Sequence, residues 1–291
     1  MWLITGSGGQ LGKSLQQQLI EEGIDFVALS HANLDITDKS KVMAVLKEYP
    51  GSVVVNTAAW TAVDDAEDHF DKAIAVNATG VSHLAHAAEE TLSRLIHVST
   101  DYVFDGLSPV PYSVSSPANP SNAYGLTKRR GEEQILRSNL QNSTIVRTAW
   151  LYSEFGKNFV KTMVRMALKK SPVRVVNDQV GQPTNAHDLS KMIIEIGMME
   201  RPPSIVHGSN SGVATWYELA VEIFVALGRQ RDLVTPVSSS EYPTKALRPK
   251  YSLLSHEDLD NWNLTQMPDW KSSLLRDLPL IVRHVKGESH E

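Results

Sequence analysis

A tyrosine and a lysine four residues apart, Tyr124 and Lys128, open a segment with helical character. At this spacing the two side chains lie on one face of a helix, about one turn apart. An ammonium in that position is expected to lower the pKa of the phenol from about 10, so that the tyrosine can donate a proton near neutral pH. Tyr124 is the only tyrosine of the chain with a lysine four residues later. The pair is a candidate proton donor for carbonyl chemistry.

Hydroxyl side chains follow an apolar run upstream of this pair. Residues 95–99 read as a buried strand that leads into Thr100 and Asp101. Ligands of open α/β sheets bind beyond the carboxyl ends of the strands, so Thr100 is placed to hydrogen-bond the carbonyl oxygen that Tyr124 would protonate. The alternatives are a polar strand end for Thr100 and a cap for Asp101.

Glycines crowd the turn after the first apolar run, where Gly6, Gly9 and Gly12 stand three residues apart. A glycine turn between a strand and a helix N-terminus exposes backbone N–H groups to a pyrophosphate. The third glycine of the dinucleotide fingerprint would fall on Leu11. The observed spacing instead resembles the variant found in short-chain dehydrogenase/reductases. A turn without a ligand is the alternative, but its place directly after the first strand favours a nucleotide.

The end of the second predicted strand bears on the choice of nucleotide. An acid there would bind the ribose 2′-hydroxyl and favour NAD, whereas this strand ends in Ser30 and His31. NADP is therefore favoured, and NAD stays open because no arginine stands beside these residues. Asp35 is either an adenine-side contact or a turn residue before a helix.

Short apolar runs alternate with amphipathic stretches through the first half and must position these groups. The predicted strands are residues 2–5, 26–29, 53–56, 95–99 and 144–147. The predicted helices between them are residues 11–22, 40–49, 71–92 and 124–138. Repeated alternation of this kind predicts an α/β fold of the Rossmann type, with a doubly wound parallel sheet.

The alternation loosens after about Trp150. Helices are predicted at residues 159–169 and 215–227, separated by loops rich in glycine, proline and serine. We therefore predict a dinucleotide-binding domain at 1–150 and a smaller, partly discontinuous substrate domain at 151–291. Residues 173–176 and 205–207 are candidates for short strands that return to the first sheet.

Composition excludes several classes of protein. The 291 residues carry 28 lysines and arginines against 33 acidic residues, a net charge of −5, which disfavours nucleic acid as a partner. The absence of cysteine removes thiolate and disulfide chemistry. No signal-peptide pattern or apolar run of membrane-spanning length is present, which predicts a cytoplasmic protein without a membrane partner.

Separated segments resemble the extended short-chain dehydrogenase/reductases that act on nucleotide-sugars, and among them most closely the dTDP-4-dehydrorhamnose reductase family. They are residues 6–12, 34–38, 56–64, 99–106, 124–128 with 131–132, 147–150, 178–184 and 248–249. The segments at 178–184 and 248–249 discriminate most, because many reductases share the cofactor half.

The resemblance implies reduction of the 4-keto group of dTDP-4-dehydro-6-deoxy-L-mannose by NAD(P)H. The product would be dTDP-L-rhamnose, a precursor of cell-surface polysaccharide. By position, Tyr124 would be the general acid, and Lys128 would bind the nicotinamide ribose and tune Tyr124. Thr100 would hold the keto oxygen, with Asp101 close by.

The resemblance also implies a cofactor site and a substrate site. The cofactor residues would be Gly6, Gly9, Gln10, Leu11, Gly12, Ser30, Asp35, Ile36, Ala59, Trp60, Thr61, Val98, Tyr124 and Lys128. The substrate residues would be Thr100, Asp101, Trp150, Gln179, Thr184 and Arg248. The flat indole of Trp150 suits stacking on a substrate, and core packing after a strand is the alternative.

Two positions depart from the family pattern. Some members bind magnesium at a dimer contact through an acid on the first helix, where this chain has Ser14, so magnesium and a homodimer both stay open. Trp60 adds bulk to the cofactor-side loop.

Four clustered acids are expected to complement a helix dipole rather than to bind metal: Asp64, Asp65, Glu67 and Asp68.

Other functions remain as alternatives. A nucleotide-sugar dehydratase would need a paired acid and base, but Tyr102 follows Asp101 where an Asp-Glu pair is typical. Another epimerase or reductase of the superfamily is harder to exclude. An NADP-binding regulatory subunit of the methionine adenosyltransferase type would not need the proton couple of Tyr124 and Lys128.

Core or surface roles are expected for scattered histidines such as His97.

Overall fold

The computed structural model describes residues 1–140 and 142–288. Its strands are β1 Trp2–Thr5, β2 Phe26–Leu29, β3 Val53–Asn56, β4 Arg94–Thr100, β5 Thr144–Thr148, β6 Leu151–Tyr152, β7 Val173–Val176, β8 Val180–Gly181, β9 Thr184–Asn185, β10 Ile205–His207, β11 Ala214–Thr215 and β12 Val234–Val237. Its α-helices are α1 Gln10–Glu21, α2 Lys39–Glu48, α3 Phe70–Ile74, α4 Gly80–Glu90, α5 Ala123–Arg137, α6 Phe159–Leu168, α7 Ala186–Met198, α8 Trp216–Ala226 and α9 Trp270–Gly287.

A six-stranded parallel sheet forms the centre of the molecule. Its strand order is β10-β5-β4-β3-β1-β2, and every neighbouring pair is parallel. Short runs of valine, isoleucine and leucine suit strands that are covered on both faces. The chain order reverses at β1, so a crevice opens beyond the carboxyl ends of β1 and β3.

Alternate residues of each strand enter two separate cores. Ile4, Val55 and Ile96 pack against α1 and α7, whereas Leu3 and Val54 pack against α2 and α4 on the other face. Side chains of successive strand residues point to opposite faces of a sheet. The sheet is therefore covered by helices on both faces, and the predicted doubly wound α/β fold is confirmed.

A second lobe contains α6, α8, α9 and the parallel pair of β7 and β12, and it has its own apolar core. Two elements of the second half leave this lobe. Strand β10 pairs with β5 at the edge of the central sheet, and α7 packs beside α1.

The structure corrects two predictions about these elements. Val173–Val176 pairs with β12, so its candidate return to the central sheet is wrong, whereas Ile205–His207 does return. The continuous helix expected at 71–92 is divided by a π-helical turn at Ala75–Thr79. The helices α7 and α9 were not predicted, and the division at residue 150 stays a prediction.

Candidate active site

The glycine turn follows β1 at the open edge of the sheet. Gly6 has a φ of +66°, and a Cβ there would lie 2.5 Å from the Ala58 nitrogen. A Cβ on Gly12 would lie 2.7 Å from the Gly6 oxygen. Gly9 caps α1 without any side-chain hydrogen bond to the first turn. The first N–H groups of α1 are thus left free to bind an anion, and these residues fit a dinucleotide pyrophosphate.

Two residues next to this turn contact the rest of the fold. The Gln10 Oε1 accepts a hydrogen bond of 2.8 Å from the Asn158 Nδ2, so the Gln10 side chain ties the glycine turn to a loop of the second half. Leu11 is buried in the core beneath the sheet. Of these two, only the Gln10 side chain lies at the boundary between the turn and the second half.

The residues after β2 form compact turns. The Ser30 hydroxyl donates to Asn33 Oδ1 at 2.6 Å. Asp35 accepts hydrogen bonds from the Thr37 backbone N–H and hydroxyl, which together lower the pKa of its carboxyl. Ile36 is buried against Gly80. Asp35 has the geometry of the alternative interpretation, a turn residue ahead of α2.

The loop after β3 is fixed to the π-helical turn. Asn77 accepts from the Trp60 backbone N–H at 2.9 Å and donates to the Trp60 carbonyl at 3.0 Å. The Trp60 indole N–H is buried, and none of the described residues accepts a hydrogen bond from it. Ala59 is half-buried beside it and Thr61 is exposed. Two hydrogen bonds thus hold this loop to the π-helical turn, and the indole N–H is left as a donor for a ligand.

The carboxyl end of β4 joins the predicted catalytic residues. The Thr100 hydroxyl donates to Asp101 Oδ1 at 3.0 Å, and it lies close enough to the Tyr124 phenol to lower the pKa of that group. The second carboxylate oxygen of Asp101 is buried and has no hydrogen-bond partner among the residues that the structure describes. The structure therefore brings Thr100 and Asp101, at the end of β4, close to Tyr124 of α5, as the sequence predicts.

Helix α5 is held close to the end of β4. Asn122 caps it by accepting from the Gly125 N–H at 2.8 Å, and a Cβ on Gly125 would lie 2.1 Å from the Tyr102 carbonyl oxygen. The Tyr102 and Tyr124 rings meet edge to face, with centroids 5.6 Å apart. A glycine at position 125 thus allows the approach that places Tyr124 at Thr100.

Burial sets the protonation states at this end of the sheet. It raises the pKa of Tyr124 to about 12, a change that the nearby Thr100 hydroxyl opposes and the Asp101 charge reinforces. It also raises the pKa of Asp101 to about 6. The expected lowering of the Tyr124 pKa by Lys128 is wrong for this structure. A phenol that retains its proton is still suited to act as a general acid.

Lys128 lies behind Tyr124, against β4. Its Nζ donates to the Val98 carbonyl oxygen at 2.7 Å and lies 3.3 Å from His97 Nε2. Burial lowers the pKa of the Lys128 ammonium to about 8, although the Glu132 carboxylate raises it in part. Both the amine and the ammonium are therefore accessible near neutral pH. Val98, a predicted cofactor residue, contributes through its backbone carbonyl.

The predicted substrate residues Trp150, Thr184 and Gln179 each contact other residues of the second half. Trp150 stacks on Trp216 with ring centroids 3.6 Å apart, and Gly181 lies against its edge, so one face of the indole is covered by protein. Thr184 is fully buried, with its hydroxyl directed to the Gln182 carbonyl. The Gln179 side chain donates to Ser239. Trp150 is packed as in the alternative interpretation, and sequence reasoning missed its partner Trp216.

Arg248 connects the second half to the acidic cluster. One Arg248 nitrogen binds Asp64 Oδ2 at 2.6 Å. The other terminal nitrogen, Nη1, is buried and has no partner in the described part of the chain. Asp64 also accepts from the Ala246 N–H, and Asp68 pairs with Lys245. Asp64 is the N-cap residue of the short helix Asp65–Glu67, and Asp64 and Asp68 also bind the segment 245–248, which the helix-dipole interpretation did not include.

A metal-binding cluster and a membrane-spanning helix are both absent from residues 1–140 and 142–288. This part of the chain contains no group of three or more histidine, aspartate or glutamate side chains arranged to hold a metal ion. Ser14, at the position of the magnesium-binding acid, is fully buried. None of the helices in these ranges is long and apolar enough to cross a bilayer.

A glycine turn at β1, a threonine at the end of β4 and a Tyr/Lys pair on α5 define an extended short-chain dehydrogenase/reductase. The family model described as the RmlD substrate binding domain matches residues 1–279, and the chain belongs to this family. The predicted family is thereby confirmed.

Curated relatives and a solved structure cover nearly the whole chain. A probable dTDP-4,6-dihydroxy-2-methyloxan-3-one 4-ketoreductase of Streptomyces antibioticus is 42% identical over 97% of this chain and 95% of that protein. A dTDP-4-dehydrorhamnose reductase of Streptomyces griseus is 40% identical over 96% and 93%. The Bacillus anthracis dTDP-4-dehydrorhamnose reductase, solved with NADP, is 39% identical, with a TM-score of 0.90 over 95% of this chain and 98% of that one.

Proposed function

We propose that this protein reduces the 4-keto group of dTDP-4-dehydro-6-deoxy-L-mannose and releases dTDP-L-rhamnose. The proximity of the Thr100 hydroxyl at the end of β4 to the Tyr124 phenol of α5 carries the proposal. It places two O–H groups at one point, beyond the carboxyl end of a central strand and in the same crevice as the glycine turn. Relatives named as dTDP-4-dehydrorhamnose reductases support the choice of substrate.

The residues divide the reaction between binding and proton transfer. A bound nicotinamide cofactor supplies the hydride. Thr100 orients the keto oxygen, and Tyr124 donates its phenolic proton to that oxygen as the alcohol forms. The raised pKa of Tyr124 keeps this proton in place until the substrate is reduced. Lys128 then returns a proton to the phenolate from one helical turn away.

Unpaired polar atoms around the crevice support a polar ligand. They are Asp101 Oδ2, Arg248 Nη1 and the Trp60 indole N–H, which are all buried and find no partner within residues 1–140 and 142–288. A buried donor or acceptor without a partner costs about 1–3 kcal/mol, which a hydrogen-bonding ligand recovers. We assign Asp101 and Arg248 to the sugar-nucleotide.

We propose NADPH as the preferred cofactor. The turn after β2 contains Ser30 and exposed His31 and Asn33, and its serine hydroxyl is bonded within the turn. No carboxylate occupies the strand end, where it would repel a 2′-phosphate. The relative from Bacillus anthracis was solved with NADP.

Turnover of the keto-sugar tests the function. The purified protein is mixed with dTDP-4-dehydro-6-deoxy-L-mannose, made in situ by its upstream epimerase, and the oxidation of NADPH or NADH is followed by absorbance. We expect stoichiometric oxidation, faster with NADPH, and dTDP-L-rhamnose as product. Absence of substrate-dependent oxidation with both cofactors would overturn the proposal, and conversion of the sugar without net oxidation would identify an epimerase.

A further inference from the structure

A row of three polar residues crosses the central sheet beneath the active site. Thr5 on β1, Asn56 on β3 and His97 on β4 are register partners in neighbouring strands, and all three are fully buried. His97 ends the row 3.3 Å from the nitrogen of Lys128. The row therefore links three strands to the lysine behind the general acid.

The donors around Asn56 fix the orientation of its amide. Its Oδ1 accepts from the Ala58 backbone N–H at 3.1 Å and from the Thr5 hydroxyl at 2.6 Å. A backbone N–H can only donate, so the amide oxygen must face Ala58. The Asn56 Nδ2 then points at His97 Nδ1, 2.9 Å away, and donates to it.

This donation fixes the tautomer of His97. A ring nitrogen that accepts a hydrogen bond carries no proton, so in the neutral imidazole the proton resides on Nε2. The imidazolium is disfavoured because the ring is fully buried beside Lys128, and both effects lower the pKa of His97 well below its ordinary value. His97 thus presents an N–H group to Lys128.

An N–H group of His97 that faces Lys128 interacts differently with the amine and with the ammonium form of that lysine. The neutral amine donates to the Val98 carbonyl oxygen and accepts from His97 with its lone pair. The ammonium has no lone pair, so its N–H groups and that of His97 would oppose each other. The Asn56 hydrogen bond thus keeps the imidazole proton on Nε2, and that proton disfavours a charged Lys128.

Other charges near Lys128 do not replace this contact. Glu132, on the same helix, favours the ammonium, but its carboxylate is bound by Arg147 from β5 and by Arg129. Asp101, in the turn after β4, acts on Tyr124. The carbonyl of Val98 accepts from either form of the lysine.

We propose that His97 is a positioning residue for the reduction, because the tautomer imposed by Asn56 donates its Nε2–H to Lys128 and favours the neutral amine. The inference rests on the proposed function. Once Tyr124 has given its proton to the keto oxygen, the Lys128 ammonium passes a proton to the phenolate and becomes the amine. His97 stabilises that amine, and water later restores its proton.

The tautomer can be measured without any turnover. The wild-type protein is labelled with ¹⁵N-histidine, and long-range ¹H–¹⁵N spectra are recorded near pH 7, with the His97 signals assigned by their loss in His97→Gln. We expect an unprotonated Nδ1 and a protonated Nε2. A proton on Nδ1 would overturn the inference even if the protein reduces the keto-sugar.

The pH dependence of turnover tests the effect on Lys128. His97→Gln can turn its carbonyl to the ammonium, and Asn56→Asp removes the amide donor, so both variants favour the charged lysine. We expect the alkaline limb of kcat to move upward by about one pH unit, a tenfold change in proton affinity, and kcat at pH 7 to fall. KM and the Kd for NADPH stay near wild type. An unmoved limb in both folded variants would refute the inference.

Thr5→Val is the matched control. It removes a buried hydrogen bond from the same row, but the Ala58 N–H still orients Asn56. We expect the wild-type tautomer and the wild-type alkaline limb, and a shifted limb in this variant would assign the effect to general loosening of the sheet. If wild-type protein lacks reductase activity, the proposed function fails, whereas the NMR result still decides the tautomer.

Discussion

Glu132 of α5 and Arg147 of β5 form a buried bidentate ion pair, with two N···O distances of 2.8 Å. The Ser99 hydroxyl of β4 donates to the same carboxylate at 2.7 Å. The helix that carries Tyr124 and Lys128 is thus fixed to the strand that ends at Thr100. Side chains with little exposure to water impose this geometry more firmly than surface pairs would.

Loss of the Glu132 charge should destabilise the fold. Glu132→Gln leaves the Arg147 guanidinium buried without its counter-ion, which costs about 3–5 kcal/mol. Denaturant unfolding measures this loss. The control is Glu133→Gln, whose partners lie on the helix surface, with an expected cost under about 1 kcal/mol. Equal losses in the two variants would contradict a special role for the buried pair.

Removal of the Tyr124 hydroxyl should separate binding from turnover. Tyr124→Phe keeps the ring against Tyr102 but has no proton to donate, so kcat should fall about 10²- to 10⁴-fold. The Kd for NADPH, followed by fluorescence titration, should stay near wild type. Tyr112→Phe, which removes a hydroxyl that binds Asp105 and the 107–108 backbone, should retain turnover. Near-normal kcat in Tyr124→Phe would remove Tyr124 from its role.

The sequence predicts this fold well because its signals are local. Strands β1, β2 and β3 are short β-branched or apolar runs whose ends match the predicted bounds. The Tyr124/Lys128 spacing and the Thr100 strand end are local as well. The order of strands follows from the rules for connecting parallel strands.

Contacts between distant segments were not predictable from such signals. Asn56 meets Thr5 and His97 across 51 and 41 residues, and those contacts depend on strand order and register. Asp64 finds Arg248 184 residues later. No periodicity in either segment indicates its partner, so the sequence predicts only a core or surface role for His97 and a helix-dipole role for the acidic cluster.

A methyl group on Gly12 should weaken cofactor binding. It would lie 2.7 Å from both the Gly6 oxygen and the Ser7 Cα, so Gly12→Ala must open the turn that presents the N–H groups of α1. We expect the Kd for NADPH to rise about tenfold or more, equivalent to 1.4 kcal/mol. Gly8→Ala is the control for folding, because its methyl meets no protein atom within 4 Å. Tight NADPH binding by Gly12→Ala would argue against a pyrophosphate in this turn.

Asp101 should make stability depend on pH in a defined window. Burial raises its pKa to about 6 in the folded protein, whereas an unfolded aspartate titrates near 3.9. Between these values the folded state holds a proton that the unfolded chain releases, so this contribution to stability falls as the pH rises from about 4 to 6.

Asp101→Asn isolates that contribution, since the amide resembles the protonated carboxyl at every pH. The variant should match the wild type in unfolding free energy near pH 4 and exceed it by up to about 3 kcal/mol at pH 7. Denaturant unfolding of both proteins at several pH values gives the difference, in which the remaining carboxylates cancel. A difference that does not change between pH 4 and 7 would mean that the Asp101 carboxylate is well solvated, and its unpaired Oδ2 would then no longer support substrate binding.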